Sequence, residues 1–177
     1  MSANSGPAAP SGHKRLLSPD RYYTSVHAID LDELRASGVR GLLLDLDNTL
    51  LPRDTNVVPD ELVAWAARVR EHGFKACLVS NNWHGRVHAV AVTLGFELVD
   101  KAIKPLPFAF RRALERTCTP ASETAVIGDQ LFTDILGGNL MGMRTLMVEP
   151  LSRTDLPHTL ILRRLEARLM RGRLPDA

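Results

Sequence analysis

Apolar residues in this chain fall into two kinds of run, and the two alternate. Gly41 to Leu44, Phe74 to Val79, Phe96 to Val99, Thr124 to Ile127 and Met143 to Val148 are short, nearly unbroken apolar stretches. Such runs predict strands buried on both faces, as in the middle of a parallel sheet. Between them, apolar residues recur at helical spacing over Pro59 to His72, Trp83 to about Thr93, Phe108 to Thr117 and Leu131 to Asn139. A shorter helix is predicted over Asp30 to Ser37, with Asp30 as its cap; Gly38, Gly73 and Gly95 read as helix stops. Strands alternating with helices at this pace imply βα units: an α/β fold with a Rossmann-like parallel sheet, right-handed crossovers and helices on both faces.

The segments outside this alternation are predicted differently. Residues 1–15 lack large apolar side chains and read as a disordered tail, leaving 16–177 as a single domain. Tyr22, Tyr23 and Val26 read as an apron over a sheet edge or a helix, and Asn48 to Val58 as irregular chain. From Thr159 to Arg171 the sequence is a basic amphipathic helix. Ile161, Leu162, Leu165 and Leu169 share one face, with Arg163, Arg164, Arg168 and Arg171 beside or opposite it. Two readings of that helix stand open: leucines docked on the domain, or leucines in an acyl boundary with arginines on anionic head groups.

Candidate chemistry begins where the first buried strand ends. Asp45 and Asp47 follow Leu44 directly, spaced by one residue, so both side chains can face one side. An unpaired buried carboxylate is costly, which places them at the strand's carboxyl end, where open α/β sheets hold their ligand crevices. On spacing alone the alternative is a pair of solvated turn acids capping the next helix. The wording Asp45-Leu46-Asp47-Asn48-Thr49-Leu50 is more specific: it resembles the first motif of the haloacid-dehalogenase (HAD) superfamily of phosphatases. Three further motifs of that superfamily have counterparts in order. Ser80 follows the second strand, Lys104 precedes Pro105, and Gly128-Asp129 with Asp134 forms a G-D-x4-D pair. Taken singly, the Ser80-Asn81-Asn82 turn can be a helix cap and Lys104 a solvated lysine; order and position give the match its weight.

The longer runs narrow the resemblance to the YqeG family, HAD subfamily IIIA, which is related to the HAD-type phosphatidylglycerophosphate phosphatases. Those runs are L-D-L-D-N-T-L-L, S-N-N-x3-R-V, K-P and I-G-D-Q-L-x-T-D-x-L-G-G-N-x-x-G-M, and the likeness covers about residues 16–171. It implies a phosphatase with Mg2+ as cofactor and a phosphorylated substrate, lipid-borne in the leading case. By resemblance, Asp45 is the nucleophile and Asp47 the proton donor and base. Ser80 and Lys104 hold the phosphoryl group. Asp45, the Asp47 carbonyl and Asp129 bind the metal, and Asp134 holds a metal-bound water or orients Lys104. Asn81, Asn82 and Arg86 are candidate substrate contacts; for Arg86 an ordinary surface helix arginine is an equal reading. A HAD scaffold that mainly binds a protein partner, and a phosphatase of a soluble metabolite, stand as alternatives.

Spacing and composition trim the picture. Neither the interval from Asp47 to Ser80 nor that from Ser80 to Lys104 has room for a separate cap domain, which needs about 50 residues for a core of its own. An open, capless mouth is therefore expected. A net charge of +2 over 177 residues gives no argument for nucleic acid. Cys77 and Cys118 read as free thiols of a reducing compartment, and no apolar run approaches the ~20 residues of a membrane span; the expected location is cytoplasmic, with peripheral membrane contact if the last helix is interfacial. His84 and His88 stand one helical turn apart but lack further ligands nearby, so they read as a solvated face. Gly137-Gly138 reads as a close-packing site and not as a phosphate loop.

Overall fold

The computed structural model describes residues 16–55, 57–82, 85–152 and 174–176. The predicted N-terminal tail and C-terminal amphipathic helix lie outside the described residues, as does His84. The chain forms β1 (Arg21–Tyr23), α1 (Leu31–Ala36), β2 (Gly41–Leu44), α2 (Asp60–Glu71), β3 (Lys75–Val79) and α3 (Gly85–Leu94). It continues with β4 (Glu97–Val99), α4 (Pro107–Thr117), β5 (Thr124–Gly128), α5 (Leu136–Leu140) and β6 (Arg144–Val148). All six strands are parallel, in the order β1-β6-β5-β2-β3-β4.

Strict alternation within the buried strands builds two apolar layers. Leu42, Leu44, Ala76, Leu78, Ala125 and Ile127 meet α1, α2 and α3 on one face, with Trp65 and Leu94 among the fully buried side chains. Leu43, Cys77, Val79 and Val126 turn to the other face and pack on Ala109, Phe110 and Ala113 of α4. Glycine makes room where α5 joins this layer: a Cβ at Gly137 would sit 2.2 Å from Cε2 of Phe110, and one at Gly138 2.7 Å from Cγ2 of Thr145. The pair is a close-packing site, as its sequence context indicates.

The helix signals act as expected. Asp30 accepts the Glu33 amide at 2.9 Å, and Gly38, Gly73 and Gly95 take positive φ beyond the ends of α1, α2 and α3. Two expectations need correction. The Tyr22–Tyr23 segment is no apron: it is an edge strand paired in register with Leu146 to Val148. The helix expected over Leu131 to Asn139 begins instead as a π-turn, Leu131–Ile135, in which the amides of Asp134 and Ile135 both bond the Gln130 carbonyl.

The order of strands sets the site. From β2 the chain steps outward through β3 to β4, then α4 carries it back across the sheet to β5 on the other side of β2. The reversal falls between β2 and β5, and open α/β sheets bind ligands outside the carboxyl ends of such strands. Among the described residues, only loop and α2 lie between β2 and β3, and only α3 and β4 between β3 and the Lys104 loop. No cap stands over the crevice there.

Candidate active site

Asp45 is the first residue beyond β2, its amide bonded to the Ile127 carbonyl of β5 at 2.9 Å. Asp129 is the first beyond β5, so adjacent strands deliver the two carboxylates side by side. The chain then reverses sharply after Asp47. Asn48 takes φ +65, a conformation asparagine tolerates better than most residues, and its amide returns to the Leu51 carbonyl at 2.7 Å. This turn buries Thr49, whose hydroxyl donates to Asp129 Oδ1 at 3.3 Å.

Asp134 reaches the same centre through the π-turn, a distortion that often marks functional sites. Its carboxylate accepts the Gln130 amide and the Thr133 hydroxyl, both at 3.3 Å. Gly128 is required for that approach: a Cβ there would lie 2.3 Å from the Asp134 carboxyl carbon. Lys104 Nζ donates to Asp45 Oδ1 at 2.6 Å and to Asp134 Oδ1 at 2.7 Å, with only 3% of its side chain exposed. The Lys104 amide donates to Asn81 Oδ1 at 2.7 Å, which ties the lysine loop to the end of β3. Ser80, buried at that end, accepts the Asn82 amide on its hydroxyl at 3.1 Å.

Asp45, Asp129 and Asp134 each offer a carboxylate oxygen, and these lie within 4.8 Å of one another. Three buried acids against the one ammonium of Lys104 leave a formal charge of −2 at the centre, and hard oxygen donors in that number suit a small divalent cation. The electrostatics fit a site built for added positive charge. Burial raises the Asp45 carboxyl to about 6, the Lys104 charge pulls it down, and the Asp134 charge pushes it up again. Burial works against the Lys104 charge, yet the carboxylates of Asp134 and Asp45 overcome it and hold the ammonium above its ordinary range.

Asp47 belongs to a second, adjoining group. Its Oδ1 takes Arg86 Nη1 at 2.5 Å and its Oδ2 takes the Asn82 side-chain amide. Arg86 is not an ordinary surface arginine. Its Nε and Nη2 donate to the carbonyls of Thr55 and Pro52, each at 2.7 Å, and 14% of the side chain is exposed. Asn81 Oδ1 and the Asn82 side-chain amide each bond within the protein, and Asn81 is exposed. The structure thus brings together Asp45, Lys104, Asp129 and Asp134, and beside them Asp47, Asn82 and Arg86. Thr49 and Thr133 are not among the expected site residues, yet their hydroxyls bond Asp129 and Asp134. Both stand inside quoted runs, Thr49 in D-N-T and Thr133 in Q-L-x-T-D, which is the signal that marks them. His88 is exposed and faces Asp100 at 3.4 Å.

Comparison with known proteins agrees with this geometry. The Hydrolase_like family, described as HAD-hydrolase-like, matches residues 102–152. A HAD phosphatase from Thermococcus onnurineus superposes with a TM-score of 0.52 at 15% identity, over 67% of this chain and 90% of that one. That likeness shows the fold, and with the sequence relatives it defines a HAD-type phosphatase. Within that class the relatives are more particular. The chain is 36% identical to "Probable phosphatase YqeG" of Bacillus subtilis over 89% of its own length and 91% of that protein's, and it belongs to the YqeG family. It is also 30% identical to the chloroplastic phosphatidylglycerophosphate phosphatase 1 of Chlamydomonas reinhardtii, over 86% of this chain and 60% of that protein.

Proposed function

We propose that the chain is a Mg2+-dependent phosphatase that cleaves a phosphate monoester through an aspartyl-phosphate, with phosphatidylglycerophosphate as its leading substrate. The observation that carries this reading is the buried cluster in which Lys104 bridges Asp45 and Asp134 beside Asp129. Four charged groups gathered in one crevice are costly to bury and serve no packing purpose, which argues against a scaffold whose only task is binding a protein partner.

Asp45, in contact with Lys104 and at the mouth of the strand reversal, is the nucleophile. A carboxylate oxygen of Asp45 forms the new bond to phosphorus as the ester P–O bond breaks, and the electron pair leaves on the ester oxygen. Asp47 supplies a proton to that oxygen and takes one from the water that later cleaves the acyl-phosphate. Lys104 and Ser80 hold the equatorial oxygens, and Asp134 keeps Lys104 in place. Asp45, the Asp47 carbonyl and Asp129 would hold Mg2+, with Asp134 holding a water on it; the cation would neutralise the anionic ester facing a carboxylate nucleophile. Both cysteines are free, which supports a reducing, cytoplasmic location.

The test is turnover of a generic phosphate ester with and without Mg2+ in wild type and Asp45→Asn. The variant loses nearly all turnover while keeping its fold, and a trapped phosphoryl label maps to Asp45. Label on Ser80 refutes the mechanism. A panel of soluble phosphate esters set against micellar phosphatidylglycerophosphate decides the substrate class.

A further inference from the structure

The loop that aims Lys104 into the crevice aims its neighbours out of it. Ala102 and Lys104 are buried, whereas Ile103 is 60% exposed, Leu106 48% and Phe108 40%. Lys101, Arg111 and Arg112 are exposed beside them, and no acidic residue lies between Asp100 and Glu115. The result is a surface both apolar and cationic, immediately next to the lysine assigned to the phosphoryl group.

Local backbone preference runs against these side chains. Ile103 has φ +52, a left-handed conformation that suits glycine or asparagine and strains a β-branched residue. Leu106 is the N-cap of α4, where serine, threonine or aspartate would bond the exposed amides, and no side chain caps that helix. Its own amide bonds the Ile103 carbonyl at 3.1 Å, so one tight turn presents both residues outward. Each position forgoes a locally better polar residue for an apolar side chain that the domain leaves exposed. Such breaches of local preference are expected where function demands them.

We propose that Ile103, Leu106 and Phe108, with Lys101, Arg111 and Arg112, form the face by which the open crevice docks on an anionic lipid bilayer. The apolar side chains enter the acyl boundary and the three cations meet anionic head groups. Charge complementarity selects this occupant: three exposed cations in a stretch whose acids, Asp100 and Glu115, stand only at its two ends suit a surface of mobile anions. The proposal rests on the phosphatase reading of the crevice and on a lipid-borne substrate. It brings Lys104 to the depth at which a head-group phosphate lies.

The test uses the full chain and two double variants, Leu106→Ser/Phe108→Ser and Arg111→Glu/Arg112→Glu. The first puts a favoured cap residue at the start of α4, which protects its fold; the second leaves every apolar side chain in place. Cosedimentation with phosphatidylcholine vesicles, with and without phosphatidylglycerol, should show wild type preferring the anionic vesicles and releasing as salt rises. Each variant should bind them at least about tenfold more weakly, while turnover of a soluble aryl phosphate stays near wild type and that of vesicle-embedded phosphatidylglycerophosphate falls. Equal binding to neutral and anionic vesicles overturns the proposal. So does wild-type vesicle binding by both variants, the result expected if residues 158–177 or a protein partner supplied the contact. If wild type hydrolyses neither substrate, the phosphatase reading fails, and vesicle binding still judges the face.

Discussion

Gly128→Ala tests whether the approach of Asp134 to the catalytic centre matters. The new Cβ would lie 2.3 Å from the Asp134 carboxyl carbon and 2.4 Å from Oδ2, where ordinary contact begins at 3.4 Å. The carboxylate must therefore retreat by about 1 Å, more than its 2.7 Å bond to Lys104 can absorb and still be a hydrogen bond. Lys104 then keeps Asp45 as its one carboxylate partner and loses its fixed position at the proposed phosphoryl site. Overpacking of this kind costs about 1–3 kcal/mol of stability, or a fall in Tm of roughly 2–10 °C for a domain of this size. A displacement of about 1 Å in a positioned group costs about a hundredfold in rate. The assay is kcat/KM on a soluble aryl phosphate beside a calorimetric Tm. Gly85→Ala is the control, since a Cβ there meets nothing within 4 Å. Activity of Gly128→Ala within about threefold of wild type would refute the argument that the Asp134–Lys104 contact organises the site.

Two further outcomes follow from the same geometry. Asp47→Asn should lose about 10²–10⁴ in rate on an alkyl phosphate, whose leaving oxygen needs a proton, and far less on an activated aryl phosphate; equal losses on both would confine Asp47 to metal geometry. Because burial raises Asp45 to about 6, the metal-free folded state keeps a proton that the unfolded chain has released between pH ~4 and ~6. Asp45→Asn should then gain on wild type as pH rises through that window, by up to about 3 kcal/mol in denaturant unfolding. No change in the difference between the two proteins from pH 4 to 6 would count against a raised Asp45.

What the sequence disclosed and what it hid separate along physical lines. β2, β3 and β5 are legible because both their faces are buried, which makes every position but the opening Lys75 and Thr124 apolar or glycine. β1 is only Arg21–Tyr23, an edge strand whose partner β6 lies more than a hundred residues away, and no local pattern records such a pairing. The π-turn is hidden for another reason. Its residues keep a helical period, and the extra residue serves only to bring Asp134 beside Lys104. In the site, Asp45 and Asp129 could be placed from strand ends alone, since a carboxylate after a buried strand has few other locations. Arg86 could not be placed. Two of its three acceptors are backbone carbonyls of Pro52 and Thr55, and a carbonyl leaves no trace in residue identity.

The arrangement of Arg86 also divides the crevice into two mechanical halves. Asp45 and Asp129 stand on the ends of adjacent central strands, and Lys104 is locked between Asp45 and Asp134. That half is as stiff as the sheet, which suits the phosphoryl group, identical in every monoester. Asp47 adjoins it, held by Asn82 from the turn after β3 and by Arg86 from the first turn of α3. The same guanidinium holds the loop at Pro52 and Thr55, so the position of the proposed proton donor and that of the rim loop are set by one side chain. In the proposed mechanism this half meets the leaving group, the part of a substrate that differs from ester to ester. A loop that shifts to fit a larger alcohol must carry Arg86, and with it Asp47, or break hydrogen bonds in a site where unpaired polar groups are costly. On the proposed mechanism, substrate fit and proton transfer are thereby coupled through Arg86, with no cap domain among the described residues to close over them.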